Sequence, residues 1–351
     1  MSKIHEAGHP FNKPSADLVL RSSDGVDFHV HKCILAEASS FFETMFSLPQ
    51  AEAKGSPDSS PLSPPASSNA KHGSPGGPQE LKEGLPVVDV SEDSKIIDRL
   101  LHFCYPYDNP ELNDLDELAA VLSAAVKYDV GATTKLLRHS LSKHASAAPM
   151  RVYAIAVSHG LEDEARIAAR ASLRFTLKDL TLQGARELSS IPALSYQHLM
   201  QYILRCEAEF STLATNLSWI PVGTPSIDDS AASPRSSVQW NAANLPPWVT
   251  CQYCPAEKVV PYQALPNGGV HFPKQWWMSL VQSARQQLIE RPTGDVVRAP
   301  SFIDASFDQM AQNCLTCRLP RAVQSLKAFL HYLASEVDTK TTEIAMNTRF
   351  C

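Results

Sequence analysis

No stretch of the 351 residues is apolar for long enough to span a bilayer, which excludes a helical membrane anchor. The N-terminal residues hold no apolar run of the secretory kind, and Cys351 stands last rather than fourth from the end, so neither a signal peptide nor a prenylation box is read. Charge is sparse. Only 19% of residues are charged and the net charge is −6, which leaves no general pull toward nucleic acid or anionic lipid. Chemistry is sparse too. There is no G-x-S-x-G, no H-E-x-x-H and no Gly-rich phosphate loop; Gly76 and Gly77 sit in a Ser/Pro-rich stretch. His29 and His31 are two apart on an expected strand and face opposite ways, so they cannot share a metal. These absences point to a non-enzymatic intracellular protein of the cytoplasm or nucleus, with no small-molecule substrate and no membrane partner. Its eight cysteines are expected to be reduced or metal-bound.

What the chain does have is order broken by Pro/Ser-rich stretches. Its 26 prolines cluster. Residues 49–85 are almost free of apolar side chains and read as a disordered insertion, unable to bury enough surface to offset the entropy of ordering. In it Ser56, Ser60, Ser63 and Ser74 each precede Pro, the pattern of proline-directed phosphorylation. Residues 214–247 form a second such linker. Residues 1–14, with Gly8, Pro10 and Pro14, read as a tail that disfavours a helix.

The richest stretch is 16–46. Ala16, Leu18 and Leu20 alternate with polar or exposed positions, and so do Val26, Phe28 and Val30. Asp24 and Gly25 between them mark a hairpin turn, because Gly tolerates positive φ. Cys33, Ile34, Leu35 and Ala38 then switch to helical spacing. Ser40 and Glu43 read as a capping box opening a second helix.

This strand–turn–strand–helix–helix run resembles the start of a BTB/POZ domain. The residues that carry the resemblance include Asp17, Leu20, Phe28, Val30, His31, Lys32, Ile34, Leu35, Ala36, Ser39, Phe41, Phe42, Met45 and Phe46. It implies an α+β fold, a small three-stranded sheet capped by helices, and a role in protein interaction rather than catalysis. It also implies that His31 packs at the strand–helix junction and that Asp17 is buried near a self-association face.

A short strand at 86–90 follows the insertion. Ile96, Ile97, Leu100, Leu101 and Phe103 then make a helix that stops at Tyr105 and Pro106. Asp114 opens another by a capping side chain, with a stripe of Leu115, Leu118, Ala119, Leu122, Ala125 and Val126. A further helix covers 132–144. This order resembles the second half of a BTB domain, so the resemblance covers 15–146. Residues 149–213 are helical throughout, with Leu199, Tyr202, Ile203, Cys206 and Phe210 on one face, and look like a BACK-type extension. Cys104 and Cys206 read as core residues.

Residues 248–351 form a C-terminal helical region with two CxxC units, Cys251 with Cys254 and Cys314 with Cys317. Two thiolates three residues apart can bind one tetrahedral metal from a tight turn, and two such turns complete a four-cysteine site. Fifty-nine residues separate the units, more than a zinc ribbon allows, and helices over 273–289 and 300–312 would fill the gap. A split structural zinc site is the first reading. Reduced thiols in a small core, a redox dithiol and a catalytic metal stay open behind it; a closed shell of four thiolates leaves a catalytic metal no free position. His271 lies between the units and is left out of the set, and Trp276 and Trp277 read as core anchors. The C-x-x-C, Trp-Trp, helix, turn, C-x-x-C order resembles the C-terminal region of BTB-domain proteins from mushroom-forming (basidiomycete) fungi, a likeness that implies no established activity.

The functional expectation is a protein-interaction protein whose BTB/POZ domain pairs with itself or a partner. One alternative is a substrate adaptor of a cullin-type ubiquitin ligase. The family's apolar-x-Glu element then falls on Leu81 and Glu83; Leu48 with Gln50 lacks the Glu, and no kelch repeat is present. Another alternative is a zinc-containing transcription or chromatin factor. The Cys region is poor in Lys and Arg and has no C2H2 pattern, so nucleic acid is not the expected partner.

Overall fold

The computed structural model describes residues 4–48, 80–220, 245–261 and 270–351. They fall into two compact units, 1–141 and 142–351.

The first unit is built on a mixed sheet. Strand β1 (His5–Glu6) is followed by β2 (Leu18–Arg21) and β3 (Val26–Val30), which pair antiparallel with Leu18 opposite Val30 and Arg21 opposite Asp27. Helices α1 (Lys32–Ala38) and α2 (Ser40–Ser47) come next. Strands β4 (Leu81–Lys82) and β5 (Leu85–Asp89) form a second hairpin, then α3 (Ser94–Cys104), α4 (Leu115–Lys127) and α5 (Gly131–Lys143) follow. The sheet order is β1-β3-β2-β5-β4. The three expected strands are its long members, and two short ones widen it to five.

Strand β2 is central, so Leu18, Val19 and Leu20 are all buried despite alternating faces. Its hairpin with β3 is not a bare two-residue turn. Ser22 N–H donates to Val26 O, Gly25 N–H to Ser22 O, and Gly25 alone takes positive φ, +83°. That is a three-residue loop closed by a glycine bulge. Asp24 does something else. Its carboxylate accepts from the Ser22 hydroxyl and from the N–H and hydroxyl of Ser94, which ties the hairpin to the start of α3.

Three boundaries differ from expectation. From residue 4 on, the expected tail is held in the fold: β1 pairs parallel with β3, and Phe11 is buried against Phe28, Tyr105 and His102. No helix forms there, as Gly8, Pro10 and Pro14 imply; a short strand and a buried aromatic anchor the segment instead. The insertion ends before 85, because β4 already pairs with β5 (Leu81 opposite Pro86, Lys82 opposite Leu85). The Ser-Pro sites at 56, 60, 63 and 74 lie outside the described residues. The buried face of α4 carries Val121 and Ala124, with Val126 exposed. Asp114 caps this helix as expected, accepting from Glu117 N–H at 3.1 Å, and Asp93 caps α3 in the same way.

The second unit is helical: α6 (Pro149–Ser158), α7 (Glu162–Ser172), α8 (Leu177–Gln183), α9 (Ala193–Ser211), α10 (Pro247–Thr250), α11 (Gln275–Glu290), α12 (Gly294–Arg298), α13 (Pro300–Asn313) and α14 (Pro320–Met346). Pro149 opens α6, and Gly160 (φ +66°) stops it. The expected α9 face, Leu199 through Phe210, is buried.

Helix α14 is the spine. Leu326, Phe329, Leu330, Leu333, Ala334 and Val337 are buried along it. Trp248 and Trp277 stack at 5.8 Å between centroids, and both tilt onto Phe329. Trp276 and Trp277 are 4% and 1% exposed, core residues as read. Phe350 is buried between Tyr153 and Tyr202. The region after α9 and the Cys region therefore share one core. Leu217 and Ile220 of the expected linker are 3% and 4% exposed, and Trp219 stacks on Tyr332. The Pro/Ser composition of that stretch hid a short apolar start that has a surface to bury. Among the described residues no helix is long and apolar enough to cross a membrane.

Candidate functional site

The motif residues of the first unit divide into packing and hydrogen-bonding roles. Phe28, Leu35 and Phe42 are buried. Phe46 is half-buried, stacked on Phe42 at 5.9 Å, with Lys32 Nζ over its ring. His31 sits at the strand–helix junction as expected. Its backbone N–H donates to the Tyr105 hydroxyl at 2.7 Å, and its ring reaches the Ser15 hydroxyl at 3.1 Å.

Two readings are corrected. The cap of α2 is Ser39, not Ser40: the buried Ser39 hydroxyl accepts from Phe42 N–H and donates to Tyr128 O, joining the start of α2 to the end of α4. Ser40 already has helical geometry and bonds Asp129. Asp17 is exposed rather than buried, and its carboxylate accepts from Lys32 N–H at 2.7 Å, capping α1 from a distance.

The buried carboxylate is Asp27, with no exposed surface. Arg21 holds it from the opposite strand at 2.7 and 3.1 Å, and Lys82 from β4 at 2.6 Å. Glu80 on Arg21 and Glu6 on Lys82 extend the network, and Glu6 also meets His29. Burial pushes the Asp27 carboxyl up, but the hydrogen bonds and charges of Arg21 and Lys82 outweigh it and hold it below the usual range. Alternation assigned Asp27 to a polar face and did not reveal its burial. The signal was the hairpin register, which sets Arg21 directly opposite Asp27.

Leu81 is 61% exposed on the edge strand β4. Glu83 is exposed too and occupies, with Gly84, a two-residue turn in which both have positive φ (+51° and +82°). Leu48 is exposed, while Gln50 lies outside the described residues.

The four cysteines of the second unit come together. Cys251 and Cys254 follow α10 in a turn pinned to the start of α11: Glu257 N–H donates to Pro273 O, and Gln275 N–H to Pro255 O. Cys314 and Cys317 lie between α13 and α14, on a 3-10 turn at Thr316–Arg318. Helices α11, α12 and α13 fill the gap and return the chain to its start. Cys251 Sγ is 3.6 Å from Cys314 Sγ, and Cys254 Sγ is 3.7 Å from Cys317 Sγ. All four sulfurs lie within 4.8 Å of one another. A disulfide requires about 2 Å. Four thiolates on a tetrahedral zinc, each about 2.3 Å from it, sit about 3.8 Å apart, so the separations fit a metal centre of four cysteines.

Cys251, Cys254 and Cys317 are buried and Cys314 half-buried. Burial pushes the Cys254 thiol up to about 12 and Cys317 higher still. At Cys314 burial is outweighed by the backbone N–H of Cys317, the thiols of Cys251 and Cys254 and the N–H of Thr316, which bring it down to about 6. Backbone N–H groups aimed at sulfur are what a bound thiolate needs. A metal held by all four sulfurs would have no coordination position left for a substrate. His271 is outside the cluster. Of the other cysteines, Cys206 is buried and Cys104 half-buried, its thiol pushed up to about 12 by burial.

Comparison with curated proteins found no match. A family model described as BTB/POZ domain matches residues 10–63. The match runs from the segment carrying Phe11, through the β2–β3 hairpin and both helices of the motif, into the insertion. The hairpin, the Ser39 cap, the His31 junction and the small mixed sheet agree with it, and the first unit therefore carries a BTB/POZ domain at residues 10–63.

Proposed function

We propose that the chain is a non-enzymatic protein-interaction protein of the cytoplasm or nucleus, acting through its BTB/POZ domain, with its second unit held together by one structural zinc on Cys251, Cys254, Cys314 and Cys317. The BTB/POZ match at 10–63 supports the interaction reading, since such domains mediate self-association and binding to other proteins. The convergence of four sulfurs supports the zinc. A zinc there ties two turns that are far apart in sequence and supplies folding energy rather than chemistry.

A more specific reading, a cullin-ligase adaptor, is favoured by one observation. Leu81 and Glu83 stand exposed on a hairpin whose backbone is fixed by its turn. The test is co-purification of tagged full-length protein with a cullin, wild type against Leu81→Ala/Glu83→Ala, with light scattering on the purified chain. A cullin retained by wild type and lost in the double variant establishes the adaptor. A dimer without cullin leaves self-association as the function, and a monomer binding neither removes both. Zinc is measured separately by elemental analysis, expected at one atom per chain.

A further inference from the structure

Beside the Cys cluster the second unit carries a surface that the BTB reading does not use. A cavity of about 330 Å3 opens where the two Cys turns meet the first turn of α14. Its walls include Pro247, Cys251, Tyr253, Cys317, Leu319 and Arg321. Tyr253 is 78% exposed, Leu319 56%, and Leu315, next to the wall residue Thr316, 78%. Large apolar side chains gathered at the mouth of one cleft mark interaction sites, whereas single ones scattered on a surface do not.

Charge selects the occupant. Arg321 is the one charged side chain on the wall. It is exposed and has no ion-pair partner among the described residues. From residue 309 to 335 the chain holds Arg318, Arg321 and Lys327 and no carboxylate.

We propose that this cleft binds an extended acidic-apolar peptide of a partner protein. An Asp or Glu carboxylate pairs with Arg321, and a neighbouring aromatic or aliphatic side chain packs between Tyr253, Leu319 and Pro247. Guanidinium–carboxylate pairs are short and directional, so Arg321 sets the register and the apolar wall supplies the buried area. The surface is independent of Leu81 and Glu83, so it and the adaptor reading can fail separately.

The test uses zinc-loaded full-length protein and a phage-displayed library of random peptides roughly twelve residues long. The best peptide is then measured by fluorescence anisotropy. The expected consensus places Asp or Glu beside an aromatic or aliphatic residue. Arg321→Glu is expected to weaken binding at least about tenfold, with Arg321→Gln in between and Tyr253→Ala also weaker. Zinc content and thermal unfolding are expected to stay unchanged in all three, because Arg321 and Tyr253 are exposed. A consensus without acidic residues, equal affinity in Arg321→Glu, or self-association through Tyr253 and Leu319 in place of peptide binding would overturn the proposal.

Discussion

The two units solve one problem with different chemistry. Each must hold together segments that are distant in the chain. The first does so with charge: Asp27 on β3 gathers Arg21 from β2 and Lys82 from β4, across the insertion. The second does so with sulfur: Cys251 and Cys254 meet Cys314 and Cys317 across three helices. A buried ion pair roughly breaks even against an apolar alternative, because desolvating the charges offsets their attraction. A metal–thiolate centre contributes folding energy outright. The first unit therefore leans on its sheet and helix packing and uses Asp27 for register. A zinc on the four sulfurs of the second, as proposed, would tie the two ends of its helical insert together.

The largest expected effect separates them directly. Cys254→Ser should abolish zinc binding and destabilise the second unit by more than about 4 kcal/mol, with the first unit's unfolding unchanged. Denaturant unfolding separates the two: tryptophan fluorescence reads the second unit alone, because residues 1–141 hold no tryptophan, and circular dichroism reads both. Loss of both transitions together would mean that the units are not independent. A chelator should reproduce the result in the wild type.

Asp27→Ala comes next. It leaves Arg21 and Lys82 without their buried partner and should cost the first unit about 3 kcal/mol, read by circular dichroism. The same site has a pH signature. The Asp27 carboxyl is held below its ordinary value in the folded state, and so is that of Glu92, where burial is outweighed by Lys127 and Tyr128. Their contribution is full above the unfolded carboxylate pKa, near about 4, and is lost as pH falls through the lower folded value. The first unit should thus weaken from about pH 5 downward, and Asp27→Ala should flatten that slope. An unchanged slope would place the acid response elsewhere.

Gly294→Ala probes the helical packing. A Cβ there would meet Ala334 O at 2.5 Å and Asp338 Oδ1 at 2.7 Å, so α12 must move off α14, at about 2 kcal/mol in the second unit. Ser39→Ala is expected to cost less, about 1 kcal/mol in the first unit, from losing the cap on Phe42 N–H and the bond to Tyr128 O. Ser40→Ala should cost less, since its hydroxyl caps nothing. Equal losses at 39 and 40 would mean that Ser40 shares in the cap.

Much of the candidate site was legible. The two CxxC units announced themselves by spacing, because a knuckle is a local structure and its ligands must be near neighbours. Their convergence was the first reading of the two units but not a forced one: whether two turns separated by fifty-nine residues meet depends on how α11, α12 and α13 pack. Asp27 was missed for a related reason. Alternation says which face a residue takes, and only the neighbours of a sheet decide whether that face is dry.

The sequence alone determined the hairpin, the helix start at Asp114, the start of α2 to within one residue (Ser40 read, Ser39 found), the Gly160 stop and the paired thiols. Each rests on short-range rules of backbone geometry, capping and periodicity. Tertiary structure decided that β1 and Phe11 join the core, that Leu217 and Ile220 are buried rather than part of a linker, that Asp17 caps a helix and that four sulfurs share one centre. Those outcomes depend on which apolar surfaces find each other, a property of the packed chain that no local window contains.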